Sequence, residues 1–277
     1  MTAPLRRVLV RRPGALERWR DYGWRTEPDP AGVEAEHEAL RAALAEAGAE
    51  VVVANPLDGN PDAVYVFDPA LLTARGAVLL RPGKKARRGE PDAIGDELEA
   101  AGVTVRGQLQ APACAEGGDL VWLDEHTLAV GLGYRTNEAG AAALAEALPD
   151  IDVLAFDLPH CRGPGEVLHL MSLLSPLDAD LALVQLPLLP TRLVQLLRER
   201  GVELVEVAEE EFDAHACNVL ALGPRRVLAF NGNQRTRRRL EAAGVDVRVV
   251  DGRELGLKGE GGPTCLTQPL HRAVASL

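Results

Sequence analysis

The chain has 277 residues, 47% of them hydrophobic and 26% charged, with a formal net charge of −11. So large an apolar share builds an extensive core and excludes a disordered chain, while the acidic balance excludes a nucleic-acid partner, which needs clustered positive charge. A membrane helix is excluded too: the longest apolar run, 181–189, is interrupted by Gln185 and Pro187 and falls short of the roughly 18 residues required.

The chain opens on a short strand within 6–11, centred on Val8-Leu9-Val10. Residues 33–47 read as a helix with Leu40 and Leu44 on one face and Gly48 as its C-cap, followed by a strand at 51–53. One pattern then recurs. A strand at 64–67, a turn at Arg75-Gly76 and a returning strand at 77–80 lead to a helix over 92–101, ended by Gly102, and a strand at 103–105. The same order returns as strands 120–123 and 128–132, helix 138–148 and strand 153–156. It returns again as 170–174, 181–186, helix 191–200 and 202–207, then as 219–222, 227–230, helix 234–243 and 245–250.

Strand, turn, strand, helix, strand at a period of roughly 45 to 55 residues is an internal repeat. A fifth copy has its first strand at 266–270 and takes its other elements from the opposite end, so it is shared between about 6–53 and about 259–272. A unit completed only by joining the ends implies an α/β fold in which five ββαβ units close a ring without sheet edges, as a single domain over 1–277. A doubly wound open sheet would alternate strands and helices one to one. Here the strands come in pairs.

In such a ring, equivalent positions converge, and reactive residue types occupy them. Asp68 leaves the first strand of the earliest unit. Glu116, in Glu116-Gly117-Gly118-Asp119, precedes that of the next, His169 that of the third and Cys265 that of the last. A Gly-Gly-Pro turn ahead of Cys265 presents the thiol at a fixed place, which a structural cysteine would not need. The cysteines at 114, 161, 217 and 265 show no CxxC spacing and follow no secretory signal, so reduced thiols in a cytoplasmic protein are expected. Blander readings stand beside these. His169, between Leu168 and Leu170, also suits a core histidine; Asp68-Pro69 also suits a turn; Lys84, Lys85, Arg87 and Arg88 also suit a solvated loop. Cys217, in Ala216-Cys217-Asn218-Val219, reads as structural, His271 as a backup base, and His37 as a residue on a charged helix face. His160-Cys161 and His215-Ala216-Cys217 match no common zinc spacing, so no metal is expected.

Five segments in order, Phe67-Asp68-Pro69, Glu116-Gly117-Gly118-Asp119, Arg135-Thr136-Asn137, Leu168-His169-Leu170 and Gly261-Gly262-Pro263-Thr264-Cys265, resemble the guanidino-group-modifying enzymes. These are five-bladed α/β propellers and include dimethylarginine dimethylaminohydrolases, arginine deiminases and amidinotransferases. The loop 81–90 and the segment 131–137 bring the resemblance nearest to the dimethylarginine hydrolases. A guanidinium is planar and permanently charged, so attack on its carbon needs a carboxylate fork, a strong nucleophile and an acid for the leaving amine. The resemblance implies a cofactor-free hydrolase of a small-molecule arginine derivative, in a homodimer. Cys265 would be the nucleophile, His169 the acid and then the base, and Glu116 its orienting partner. Asp68 would grip the guanidinium, Arg87 and Arg135 the α-carboxylate, with Asp62, Tyr65 and Phe67 bordering the pocket.

Phe67 stands where the dimethylarginine hydrolases carry Glu, which removes one hold on the guanidinium. Met171 stands where deiminases carry Asp, which leaves room for methyl groups and favours an Nω-substituted arginine. Deimination of arginine or amidino transfer at the same Cys/His/carboxylate site, and a non-enzymatic binding platform, are the alternatives.

Overall fold

The computed structural model describes residues 1–165 and 168–273. Strand β1 (Leu5–Arg11), helix α1 (Pro30–Glu46) and strand β2 (Glu50–Ala54) come first, with β2 parallel to β1. Helix α1 starts at Pro30, three residues earlier than its apolar face suggests. Pro30 fits the first helical position, where no N–H is needed, and the Asp29 carboxylate accepts from the Gly32 N–H at 3.0 Å as an N-cap. Val33, Leu40 and Leu44 are buried beneath it. Contrary to the helix-face reading, His37 is buried with them.

Four units of one topology follow. In the first, β3 (Ala70–Thr73) is antiparallel to β4 (Gly76–Leu79), α2 (Glu90–Ala100) crosses over, and β5 (Val105–Gln108) returns parallel to β4. The second has β6 (Leu120–Trp122), β7 (Thr127–Leu132), α3 (Glu138–Ala147) and β8 (Asp152–Asp157). The third has β9 (Leu174–Pro176), β10 (Leu181–Val184), α4 (Thr191–Glu199) and β11 (Glu203–Glu206). The fourth has β12 (Leu220–Gly223), β13 (Arg226–Phe230), α5 (Gln234–Ala242) and β14 (Asp246–Val250). Finally β15 (Gln268–Arg272) pairs antiparallel with β1, giving a fifth sheet of order β15-β1-β2 made from both ends of the chain. Each sheet has its second strand in the middle, covered on both faces, which is why β10 reads Leu-Ala-Leu-Val with every residue buried.

The first strands differ from expectation. Residues 64–67 are not a strand: a 3-10 turn spans Pro61–Val64 and β3 starts only at Ala70. Val64 and Val66 are buried, but the backbone there serves other partners. The Phe67 N–H donates to the Cys265 carbonyl, the Asp68 carbonyl accepts from Gly117, and Pro69 has no N–H to give a ladder. Likewise Leu170–Ser172 form a 3-10 turn, so β9 begins at Leu174. Residues 263–266 form a turn, so β15 begins at Gln268 rather than Leu266. In each case an apolar run that looks like a strand is the turn ahead of one.

Candidate active site

Those turns carry the reactive side chains. Asp68, Tyr65, Asp62, Arg87, Arg135, His169 and Cys265 line one cavity of about 390 Å³, with Tyr22, Lys84 and Glu260 among its other walls. Glu116 lies behind His169, wholly buried. Phe67 is half-buried in the apolar cluster that holds Met171 and Leu170, and its contact with the site is the backbone bond to Cys265.

His169 Nε2 lies 2.8 Å from Glu116 Oε2. Glu116 also accepts from Arg135 Nη1 at 3.2 Å and, at Oε1, from the Lys84 backbone N–H at 3.1 Å. Burial would push this carboxyl up, but the bond to His169, its charge and that of Arg135 hold it far below the usual carboxylate range. Burial would in turn depress His169, yet Asp119, Asp68 and Glu116 outweigh it and raise its pKa to about 9. His169 is therefore an imidazolium at neutral pH. The imidazole fits only because position 118 is glycine: a Cβ there would sit 2.3 Å from His169 Nδ1.

Asp68 is buried and accepts at both oxygens, from Gly118 N–H at 2.9 Å and Arg87 Nη1 at 2.6 Å. A carboxylate has about four lone-pair sites, so two remain for a guanidinium in the cavity. Arg87 spends its guanidinium on Asp68, on Glu90 at 2.7 Å and on the Tyr65 carbonyl at 3.0 Å. It is buried and ion-paired rather than reaching outward. Asp62 accepts from Trp24 Nε1 at 2.8 Å and Lys84 Nζ at 2.6 Å, and the Tyr65 hydroxyl donates to the Leu255 carbonyl at 2.8 Å.

Cys265 is a half-buried free thiol. Burial, then the Asp68 charge, push its pKa up to about 12, while the Gly262 N–H, the Asn218 amide and Arg87 act the other way. A nucleophile in this state needs a further cation before it becomes a thiolate. Cys217 is buried against the Leu183 carbonyl at 3.7 Å, and burial pushes its thiol up as well. His271 is exposed on β15 and is not among the residues lining the cavity.

Three participants escaped the sequence reading. Asp119 accepts from Thr136 Oγ1 at 2.7 Å and from the Leu170 N–H at 3.0 Å, tying two units together behind His169; burial raises its pKa to about 6. Asn218 Nδ2 donates to Cys265 Sγ at 3.3 Å. Glu90, buried at the start of α2, anchors Arg87. Only Asn218 had a signal, since it immediately precedes the first strand of its unit, as the other candidates do.

Asp68, Glu116 and His169 are the one group among the described residues whose ligand atoms, within 4.8 Å of one another, could surround a metal ion. Their chemistry argues for a charge network instead. Each is already ion-paired, Asp68 with Arg87 and Glu116 with both Arg135 and His169.

The family model described as N,N dimethylarginine dimethylhydrolase, eukaryotic, matches residues 29–272. The N(G),N(G)-dimethylarginine dimethylaminohydrolase of Streptomyces coelicolor is 30% identical over 278 residues, covering 97% of this chain and 98% of that protein. An arginine deiminase of Mycobacterium marinum is 34% identical over 194 residues, covering 58% of this chain and 47% of that protein. The solved structure of a cysteine-to-serine mutant of the Pseudomonas aeruginosa dimethylarginine hydrolase, complexed with citrulline, matches with a TM-score of 0.80 at 27% identity. The match covers 95% of this chain and 98% of that one. A family model that matches nearly the whole chain, and a relative 30% identical over almost its full length, place it plainly: it belongs to the dimethylarginine dimethylhydrolase family of guanidino-modifying enzymes.

Proposed function

We propose that the chain hydrolyses the guanidino group of an Nω-substituted arginine, such as dimethylarginine, to citrulline and an amine. The observation that carries this reading is the pairing of charges around one thiol. Asp68, with free lone pairs, and an imidazolium held by Glu116 line the same cavity as Cys265. Asp68 takes the substrate guanidinium in plane and leaves one face to the sulfur. The arriving cation offsets the Asp68 charge that holds Cys265 as a thiol, so the thiol proton is released to solvent as substrate binds and binding and activation are coupled.

Sγ then bonds to the guanidinium carbon, the carbon–nitrogen bond to the substituted nitrogen breaks, and His169 supplies the proton with which the amine leaves. The resulting S-alkylthiouronium is attacked by water, whose proton returns to His169, and citrulline departs as the thiol is restored. Arg87 turns its guanidinium to Asp68, Glu90 and the Tyr65 carbonyl, so the α-carboxylate falls to Arg135, which lines the same cavity and is held at Nη1 by Glu116.

In this reading residues 1–277 act as one catalytic domain whose five sheets close a ring. The bonds that support closure run between successive units. The Gly117 N–H donates to the Asp68 carbonyl, the Leu170 N–H to Asp119, the Thr264 N–H to Asn218 and the Phe67 N–H to the Cys265 carbonyl.

Plain arginine is the second reading, because arginine deiminases are among the relatives. Met171, two residues after His169 in sequence, supplies no carboxylate for a second fork on an unsubstituted guanidinium, which favours the methylated substrate. Incubation with asymmetric dimethylarginine, monomethylarginine and arginine, followed by a citrulline assay, tests both. The expected order is dimethylarginine first; citrulline from arginine alone would transfer the conclusion to deimination, and none from any would discard it.

A further inference from the structure

We infer that Asn218 is a catalytic residue: its side-chain amide donates to the Cys265 sulfur and stabilises the thiolate once the substrate's charge lets it form. The inference rests on the reading above, in which Cys265 is the nucleophile. His169 cannot take this role while its Nε2 is engaged by Glu116 at 2.8 Å, and no hydrogen bond joins it to Cys265 among the described residues. Among the charges acting on the thiol, Asp68 has the largest effect and opposes ionisation. A thiolate formed as the substrate cation arrives still needs a donor to hold it. Asn218 Nδ2 is the side chain in place to do so, 3.3 Å from Sγ.

The amide is not free to turn over. Asn218 Oδ1 accepts from the Thr264 N–H at 3.2 Å, so its NH2 group faces the sulfur. The backbone is shaped to admit it: a Cβ at position 262 would lie 2.2 Å from Asn218 Oδ1, so only glycine lets the amide pack against this turn. Asn218 is itself buried and sits at the head of β12, the place in the fourth unit that Asp68, Glu116, His169 and Cys265 hold in theirs. All five units then contribute a polar side chain to one site. A neutral donor is well suited here. It stabilises a thiolate without adding a fixed charge that would repel a cationic substrate.

The test is the rate of Cys265 alkylation by iodoacetamide across pH 7 to 10.5, read by mass spectrometry on the full chain with Cys114 as internal control. Asn218→Asp keeps the acceptor for the Thr264 N–H but turns an acceptor towards sulfur. It should slow Cys265 by at least tenfold at each pH and leave Cys114 at the parent rate. Asn218→Ser removes the donor without adding charge and should slow it by about tenfold, which covers the case in which the Asp variant does not fold. In turnover of dimethylarginine, both should lower kcat far more than they change KM. Unchanged Cys265 alkylation in both variants would overturn the inference. A parent protein that makes no citrulline, while the variants still slow alkylation, would remove the proposed function and leave the donor standing.

Discussion

His169 is held between opposing influences: burial favours its neutral form, and three carboxylates favour the charged one. The carboxylates prevail, so the proton is retained up to a pH of about 9. If that proton goes to the leaving amine, kcat/KM must fall as pH rises through this value, because the neutral imidazole has nothing to give. Glu116→Gln keeps an oxygen for Nε2 and removes the charge. It should shift the alkaline limb down by about one unit and lower kcat by about 10²-fold, measured as a pH–rate profile; a limb fixed near 9 would assign the proton to another group. His169 and Glu116 were legible because each is a polar side chain set at the mouth of a strand, among leucines in one case and before paired glycines in the other. Asp119 was hidden in the same Glu-Gly-Gly-Asp run, where one carboxylate looks like another. What distinguishes it is that its partners, Thr136 and the Leu170 N–H, come from elsewhere in the chain. Arg87 was read as reaching for a substrate carboxylate, and no local pattern announces that Glu90, three residues on, draws its guanidinium inward.

The turns ahead of β3, β6, β9, β12 and β15 set the geometry of the site, and the paired glycines of two of them, Gly117-Gly118 and Gly261-Gly262, are spatial requirements. At Gly118 the backbone passes so close to His169 that a methyl group displaces the ring. Gly118→Ala should therefore cost about 10²-fold in kcat with little change in KM, since a shift of about 1 Å in an acid–base group has that effect. Unchanged kinetics would mean that the imidazole moves freely and is not positioned by this contact. The middle strands and helices could be read from the sequence because two-sided burial and the 3.6-residue repeat write clear patterns. Three of the five first strands, β3, β9 and β15, were misplaced by two to six residues for a physical reason. Their preceding turns are also apolar and buried, Val64, Val66, Leu170 and Leu266 among them, so burial alone does not separate a turn from a ladder.

Two properties belong to the molecule as a unit. One is its response to acid. His37 is buried under α1, its Nε2 has no hydrogen-bond partner among the described residues, and burial lowers its pKa from 6.5 to about 4. The unfolded chain binds this proton from about pH 6.5 downward and the folded one only near 4. Stability present above 6.5 is therefore lost as pH falls through that window, by about 3 kcal/mol in all. His37→Leu should flatten this fall, seen as a smaller drop in the urea midpoint between pH 7 and 4.5; an equal drop would assign the acid response to other groups. The other property is continuity. Strand β15 pairs with β1, and the Ala273 N–H donates to the Pro4 carbonyl at 2.8 Å, so the described ends of the chain already meet within one sheet. Joining them through a short Gly/Ser linker and reopening the chain between Glu125 and His126, an exposed turn between β6 and β7, removes no strand pairing if the five sheets form a closed circuit. That permutant should unfold within about 5 °C of the parent and keep its turnover of the preferred arginine derivative. Cutting away residues 268–277 instead strips β1 of its antiparallel partner and should abolish both. A permutant as damaged as the truncation would mean that the order of the units along the chain, and not their closure, holds the site together.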